Sequence, residues 1–240
     1  MVTTLFLVRH GETEGSETKR YKGSIDVPLS ENGIEQIKKT AVFIKERLRL
    51  ESSTKYRSYL REIHKTTGEG SKGRRVKWSK RLSAVYTSNL GRAVKSAEII
   101  ARPYKLKPIQ MKDLRERSFG IWEGMSFAEI KETYPKEFSA WAGNPLKYSP
   151  VKGESTLEVE KRVIRALERI LEKHKGEDIA VVSHGGVNRI MLCNILGIPL
   201  ENIFRIEQDY AAVNIIEFWD KYPVVKLING QVGLESYKHD

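Results

Sequence analysis

Short apolar runs of β character alternate along this chain with amphipathic helical patterns, and that alternation leaves few folds open. Thr3 to Val8 reads as a buried strand, closed by Arg9-His10-Gly11-Glu12. Pro28-Leu29-Ser30 opens a helix with Ser30 as N-cap, and Ile34, Ile37, Ala41, Ile44 and Leu48 recur on one face. Ala84 to Thr87 reads as a second strand, and Ser88 and Asn89 are placed to cap a helix that runs to about Ala101 and is stopped by Pro103. Ser155-Thr156-Leu157-Glu158 has the form of a capping box before a long helix. Leu157, Val163, Leu167, Ile170 and Leu171 supply its apolar face, and Gly176 ends it. Ile179 to Val182 is a third strand, and Ser183-His184-Gly185-Gly186 begins the next helix. Val213 to Phe218 and Val224 to Leu227 read as two late strands joined near Asp220 at a sheet edge. This order predicts the α/β class: a single domain over 1–240, three-layer α/β/α, with a mostly parallel central sheet.

Two stretches fall outside that rhythm. Residues 52 to 81 hold ten Lys/Arg and two Glu, so most of the formal +11 charge sits in one basic insert, a loop or hairpin with flanks at Tyr56 to Ile63 and Arg75 to Trp78. The remainder is near neutral, which argues against nucleic acid as a partner and leaves the insert as a solvated loop, an anion-attracting lid or an oligomer contact; a homodimer stays open. Residues 104 to 150 form a cap-like segment of turns and short helices, rich in aromatics at Phe119, Trp122, Phe127, Tyr134, Phe138, Trp141 and Tyr148. The lone Cys193 lies in an apolar run and reads as a core residue. One cysteine cannot form an internal disulfide, no stretch approaches the roughly 20 apolar residues of a membrane span, and Leu5 to Val8 is too short for a signal peptide, so the expected setting is cytoplasmic, without membrane partners.

In a parallel sheet, ligands sit beyond the carboxyl ends of the strands. Here the first strand delivers Arg9 and His10 to that edge, the second Arg92 on the first turn of its helix, and the third His184 beside two glycines at a helix start. Guanidiniums, imidazoles and helix N-termini gathered at one place suit a phosphate dianion. Phosphoryl transfer needs an in-line nucleophile, neutralised equatorial oxygens and a proton for the departing oxygen. His10 can be the nucleophile when neutral, with one ring nitrogen fixed by a hydrogen bond and the other free. Arg9, Arg92 and His184 can neutralise the oxygens, and Glu116 is the candidate proton donor.

Leu7-Val8-Arg9-His10-Gly11-Glu12-Thr13-Glu14 resembles the signature of the histidine phosphatase superfamily, also called phosphoglycerate mutase-like. The likeness continues through Arg20 to Gly33, Thr87-Ser88-Asn89-Leu90-Gly91-Arg92-Ala93, Leu114-Arg115-Glu116, Phe119 to Gly124, and Val182-Ser183-His184-Gly185-Gly186. It implies a phosphoglycerate mutase-like fold, phosphorylation of His10, phosphate binding by Arg9, Arg92 and His184, and Glu116 acting first as acid and then as base. It also places Lys22, Gly23 and Gly185 at the substrate. Gly15-Ser16 stand where the family often has Trp-Asn, so Ser16 takes the position of a usual substrate contact with a shorter side chain.

The block Phe119 to Ile130 and Lys152-Gly153-Glu154-Ser155 resemble the phosphatase branch, including α-ribazole phosphatase and broad-specificity enzymes, and the stretch between Glu116 and His184 is shorter than in cofactor-dependent mutases. The expected substrate is a small-molecule phosphomonoester, with a cofactor-dependent phosphoglycerate mutase as the alternative and a non-catalytic phosphate- or nucleic-acid-binding protein as a further one. No cofactor and no metal is implied: His64, His174 and His239 have no partner at metal-ligand spacing and read as solvated surface. Phosphatase activity is therefore expected to survive EDTA; loss with chelator and recovery with a divalent ion would contradict a metal-free reaction.

Overall fold

A computed structural model describes residues 2–18, 20–50, 81–220 and 222–232. Apart from Arg81, the basic insert and its expected hairpin lie outside the described residues, as do His64 and His239. Six strands form one sheet: β1 (Thr3–Arg9), β2 (Ala84–Thr87), β3 (Ile109–Gln110), β4 (Asp178–Ser183), β5 (Val213–Phe218) and β6 (Pro223–Gly230), in the spatial order β3-β2-β4-β1-β5-β6. β1, β4, β2 and β3 are parallel, and β5 and β6 add an antiparallel hairpin.

Helices α1 (Glu31–Leu50) and α2 (Gly91–Ala101) cover one face, and α5 (Thr156–Lys173) and α6 (Gly185–Leu196) the other. Period-two alternation in β1 decides which residue meets which layer. Phe6 and Val8 pack with Ile37, Ala41 and Ile44 of α1, while Leu5 and Leu7 pack with Val163 and Leu167 of α5 and Ile190 of α6. Burial on both faces accounts for the unbroken apolar run in the sequence. Cys193 lies in the α6 side of this core. Between β2 and α5 come two short helices, α3 (Phe127–Thr133) and α4 (Pro135–Gly143). No helix of the described residues is long and apolar enough to cross a membrane.

The helix ends follow local chemistry where a side chain can reach. Ser30 Oγ accepts from Gly33 N at 3.0 Å, and Ser155 and Glu158 close a reciprocal capping box. Three expectations fail. Ser88 and Asn89 do not cap α2: Leu90 occupies the N-cap, and the Gly91 N–H donates instead to both carboxylate oxygens of Asp26 at 2.8 and 2.9 Å. A residue 65 positions away thus supplies the negative charge a helix start favours. Leu157 points outward and Val159 takes the buried place, because the helix turns Leu157 away from the sheet. His174 is buried rather than solvated: its ring meets the Tyr86 hydroxyl at 2.8 Å and Glu177 at 2.6 Å, far in the fold from the strand ends that carry Arg9 and His184.

The loop after β1 lies directly on the first turn of α1. Ser30 N donates to the Glu12 carbonyl at 3.0 Å, and a Cβ built on Gly33 would stand 2.0 Å from that same oxygen. Overpacking against main chain cannot be relieved by a rotamer change. Gly33→Ala is expected to lower stability by about 2–3 kcal/mol in urea denaturation; an unchanged midpoint would contradict the contact.

Candidate active site

β1 and β4 are adjacent and parallel, but β1 leads to α1 on one face and β4 to α6 on the other. The loops part there, which opens a crevice at their carboxyl ends. A cleft of about 440 Å³ occupies it. Arg9, His10, Ser16, Lys22, Gly23, Arg92, Glu116 and Gly185 all line the cleft, and His184 is fully buried behind His10, with ring centroids 5.1 Å apart. All nine positions singled out in the sequence are thus brought to one place.

The tautomer of His10 follows from its partner. Nδ1 lies 2.7 Å from the Gly11 carbonyl oxygen, which can only accept, so Nδ1 carries the proton and the Nε2 lone pair is left. Burial holds the ring well below the ordinary histidine pKa, and the neighbouring cations Arg9 and Arg92 push the same way. The main chain is pinned as well: His10 N donates to Ser183 O at 3.0 Å, and its carbonyl accepts from Ala211 N at 3.1 Å. Ala211 holds a left-handed backbone, φ 57°, to make that contact.

His184 is also kept neutral, first by burial and then by His10, Arg92 and Arg9. Its Nε2 meets Ser88 Oγ at 2.8 Å. That hydroxyl oxygen also accepts from Leu90 N at 3.3 Å; with its own proton turned to Nε2, the ring proton of His184 lies on Nδ1. Nδ1 is buried without a protein partner, and so is Arg9 Nε. Buried donors are rarely left unmatched, and two in one site mark a place for an acceptor.

The guanidiniums are anchored from behind. Arg92 Nη1 and Nη2 donate to the carbonyls of Ile25 at 2.6 Å and Gly23 at 2.8 Å. Gly23 presents its carbonyl with φ 47°, and a Cβ there would lie 2.5 Å from Glu123 Oε1, so only glycine fits. Arg9 Nη1 donates to the Gln208 carbonyl at 2.5 Å, and its guanidinium lies 3.8 Å over the Tyr210 ring. Burial lowers both arginine pKa values, which remain those of charged groups. Lys22 Nζ donates to Thr13 Oγ1 at 2.7 Å and to the Glu14 carbonyl at 2.5 Å. Ser16 sits on a single 3₁₀ turn at the cleft wall.

Glu116 accepts at both oxygens from main chain: Oε1 from Arg117 N at 2.9 Å, Oε2 from Gly186 N at 3.0 Å at the start of α6. Its own main chain is held by Arg162 of α5, which donates to the carbonyls of Asp113, Arg115 and Glu116 and to both oxygens of Glu154. Sequence reasoning missed Arg162, Gln208 and Tyr210. A charged residue on an amphipathic helix and a polar loop carry no motif, and only the geometry draws them to the site.

Farther out, the wall is aromatic. Phe119, Trp122, Phe127, Phe138 and Trp141 line it, with Ile130, Ile203 and Phe204. The rings also pack on one another: Trp122 stacks on Tyr148, and Phe127, Phe138 and Trp141 contact mutually. Tyr134 and Tyr148 do not reach the cleft. Among the described residues, no three His, Cys, Asp or Glu side chains gather where a metal could be held.

A neutral imidazole beside two guanidiniums, with a carboxyl held at a neighbouring helix start, is an arrangement that suits phosphoryl transfer. The sequence model of the histidine phosphatase superfamily (branch 1) matches residues 5–82 and 71–231, and the chain belongs to this superfamily. It is 29% identical over 239 residues to phosphoserine phosphatase 1 of Hydrogenobacter thermophilus, covering 98% of each chain. It is 36% identical over 197 residues to a metal-independent phosphoserine phosphatase of Arabidopsis thaliana, covering 81% of this chain and 69% of that one. Among solved structures, Bacillus stearothermophilus YhfR superposes with a TM-score of 0.74 at 29% identity, over 96% of this chain and 98% of that one. The chain is a phosphomonoester hydrolase of the phosphohistidine type.

Holding two imidazoles neutral has a cost that depends on pH. The unfolded chain protonates both near pH 6.5, while the folded one resists, so the folded state loses stability as pH falls below that value. The thermal midpoint is expected to decline between about pH 7 and pH 5, and His184→Gln is expected to make the decline shallower. An identical slope in the variant would mean that His184 does not stay neutral in the fold.

Proposed function

We propose that His10 is the nucleophile of the hydrolase and Glu116 its acid and base. Nε2 attacks phosphorus in line with the ester oxygen, the P–O bond breaks as the P–N bond forms, and the departing oxygen takes a proton from the Glu116 carboxyl. Water then attacks the phosphohistidine, Glu116 takes its proton, and inorganic phosphate leaves with His10 restored. Arg9, Arg92 and His184 meet the equatorial oxygens, with Ser16, Lys22, Gly23 and Gly185 at the substrate. One observation carries this reading: Arg9 Nε and His184 Nδ1 are buried nitrogens without protein partners beside a ring whose free nitrogen is Nε2. No step needs a metal.

Residues 104–150 act, in this reading, as a cap on a single domain in which 52–81 is an insert. The cap brings rings to the leaving group, whereas the wall cations are already engaged: Arg20 with Glu129, Arg189 with Glu207, and Arg117 with the carbonyls of Glu154 and Tyr148. This favours a small phosphomonoester whose leaving group has an apolar or aromatic part. The phosphoserine of the named relatives is the contrasting case, and a single cysteine suits a cytoplasmic setting.

A panel of phosphomonoesters, with phosphoserine and 3-phosphoglycerate included, tests the substrate through free phosphate and isomerised product together. Isomerisation outrunning phosphate release would make the protein a mutase. His10→Ala is expected to lose about 10³-fold or more in kcat and to take up no label from a radioactive ester. Glu116→Gln is expected to slow alkyl phosphates by about 10²–10⁴-fold and para-nitrophenyl phosphate far less. Equal losses on both would remove the acid role from Glu116.

A further inference from the structure

Behind Arg9 lies a cluster of buried amides that the reaction itself does not use. Gln208, Asn214 and Asn188 are each fully buried. Gln208 Nε2 donates to Asn214 Oδ1 at 2.9 Å and to the Glu207 carbonyl at 2.7 Å, and its Oε1 accepts from Asn214 Nδ2 at 2.8 Å and Asn188 Nδ2 at 3.3 Å. Asn214 Nδ2 also donates to the Leu7 carbonyl at 3.0 Å, two residues before Arg9. Asn188 Oδ1 accepts from Ser183 Oγ at 2.5 Å, one residue before His184. The cluster therefore joins β1, the end of β4, α6 and β5 at the level of the phosphate-binding residues.

Its output is the loop from Glu207 to Ala212. That loop gives Arg9 two contacts, the Gln208 carbonyl on Nη1 and the Tyr210 ring beneath the guanidinium. Thr40 Oγ1 holds the Ala211 carbonyl at 2.8 Å, and Asp209 is tied to Asn229 in both directions at 2.7 Å. An arginine side chain has many rotamers, and each contact that fixes it removes freedom that phosphate would otherwise have to remove on binding. Within hydrogen-bond networks of this kind, every member depends on the others.

We propose that Tyr210 and Gln208 are positioning residues for the phosphate site: Tyr210 by supporting the charged plane of Arg9, Gln208 by fixing the loop whose carbonyl orients it. This rests on the reading of Arg9 as a phosphate ligand. Gln208 does not line the cleft; Tyr210 does, with its ring centroid 5.8 Å from that of His10, so a double variant with Arg9 is needed to separate an effect through Arg9 from one through His10.

Competitive inhibition by inorganic phosphate, with para-nitrophenyl phosphate as substrate, reads the proposal directly. Tyr210→Leu removes the ring face at similar size and is expected to weaken phosphate by about 3- to 30-fold, with a similar rise in KM and a smaller change in kcat. Tyr210→Phe keeps the ring and is expected to restore the affinity. In an Arg9→Met background, Tyr210→Leu is expected to have no further effect, because the cation it supports is gone. Wild-type phosphate affinity in Tyr210→Leu, equal losses in the Leu and Phe variants, or a full Tyr210→Leu effect on top of Arg9→Met would each overturn the assignment. Gln208→Met, checked for folding by its melting curve, is expected to weaken phosphate in the same direction, and wild-type phosphate affinity in the folded variant would remove Gln208 from the assignment. If Arg9→Met alone binds phosphate as the wild type does, it is the ligand role of Arg9 that fails, and the two failures are told apart.

Discussion

The site depends on a concentration of positive charge that the protein keeps out of water. Arg9 and Arg92 lose hydration at the cleft floor, and the loss is partly offset by carbonyl dipoles: Gln208 for one, Ile25 and Gly23 for the other. Burial, and after it those fixed cations, keep His10 and His184 from protonating, so the same charges that would attract phosphate also help preserve the imidazole lone pair. The carboxylates nearby temper this field and are themselves tied to main chain. Asp26 is spent on the start of α2, and Glu116 faces the start of α6, each against main-chain N–H groups.

Much of this was legible in the chain. Apolar alternation and caps located β1, α1, α5 and β4, because each is set by local periodicity or by a side chain bonding three residues away. Placing Arg9, Arg92 and His184 together needed one more rule, that parallel strands share a carboxyl edge, and the order β2-β4-β1 brings those three ends side by side. What could not be read was long-range. Asp26 capping α2, Arg162 gripping the segment before Glu116, and Asn214 locked to the Leu7 carbonyl are contacts between distant segments, and none leaves a periodic trace. His174 failed for the same reason: a histidine at the end of a charged helix looks solvated until Tyr86 and Glu177 are seen to close over it.

The aromatic segment illustrates how packing and recognition share residues. Trp122, Phe127, Phe138 and Trp141 are neighbours of one another, and this gives the short helices α3 and α4 a core of their own. The faces left over form the cleft wall. A substitution there changes both what the pocket accepts and how firmly the segment holds its shape, so substrate preference and local order are linked in this part of the molecule.

The anchoring of His10 has a consequence for how the catalyst cycles. Its ring is tied to Gly11, its amide to β4 and its carbonyl to the loop before β5. A group clamped at three points has nowhere to swing, so a phosphoryl group transferred to it would stay where it was received. Water would then have to come to that fixed point, and the alcohol leave it, through the mouth of the cleft.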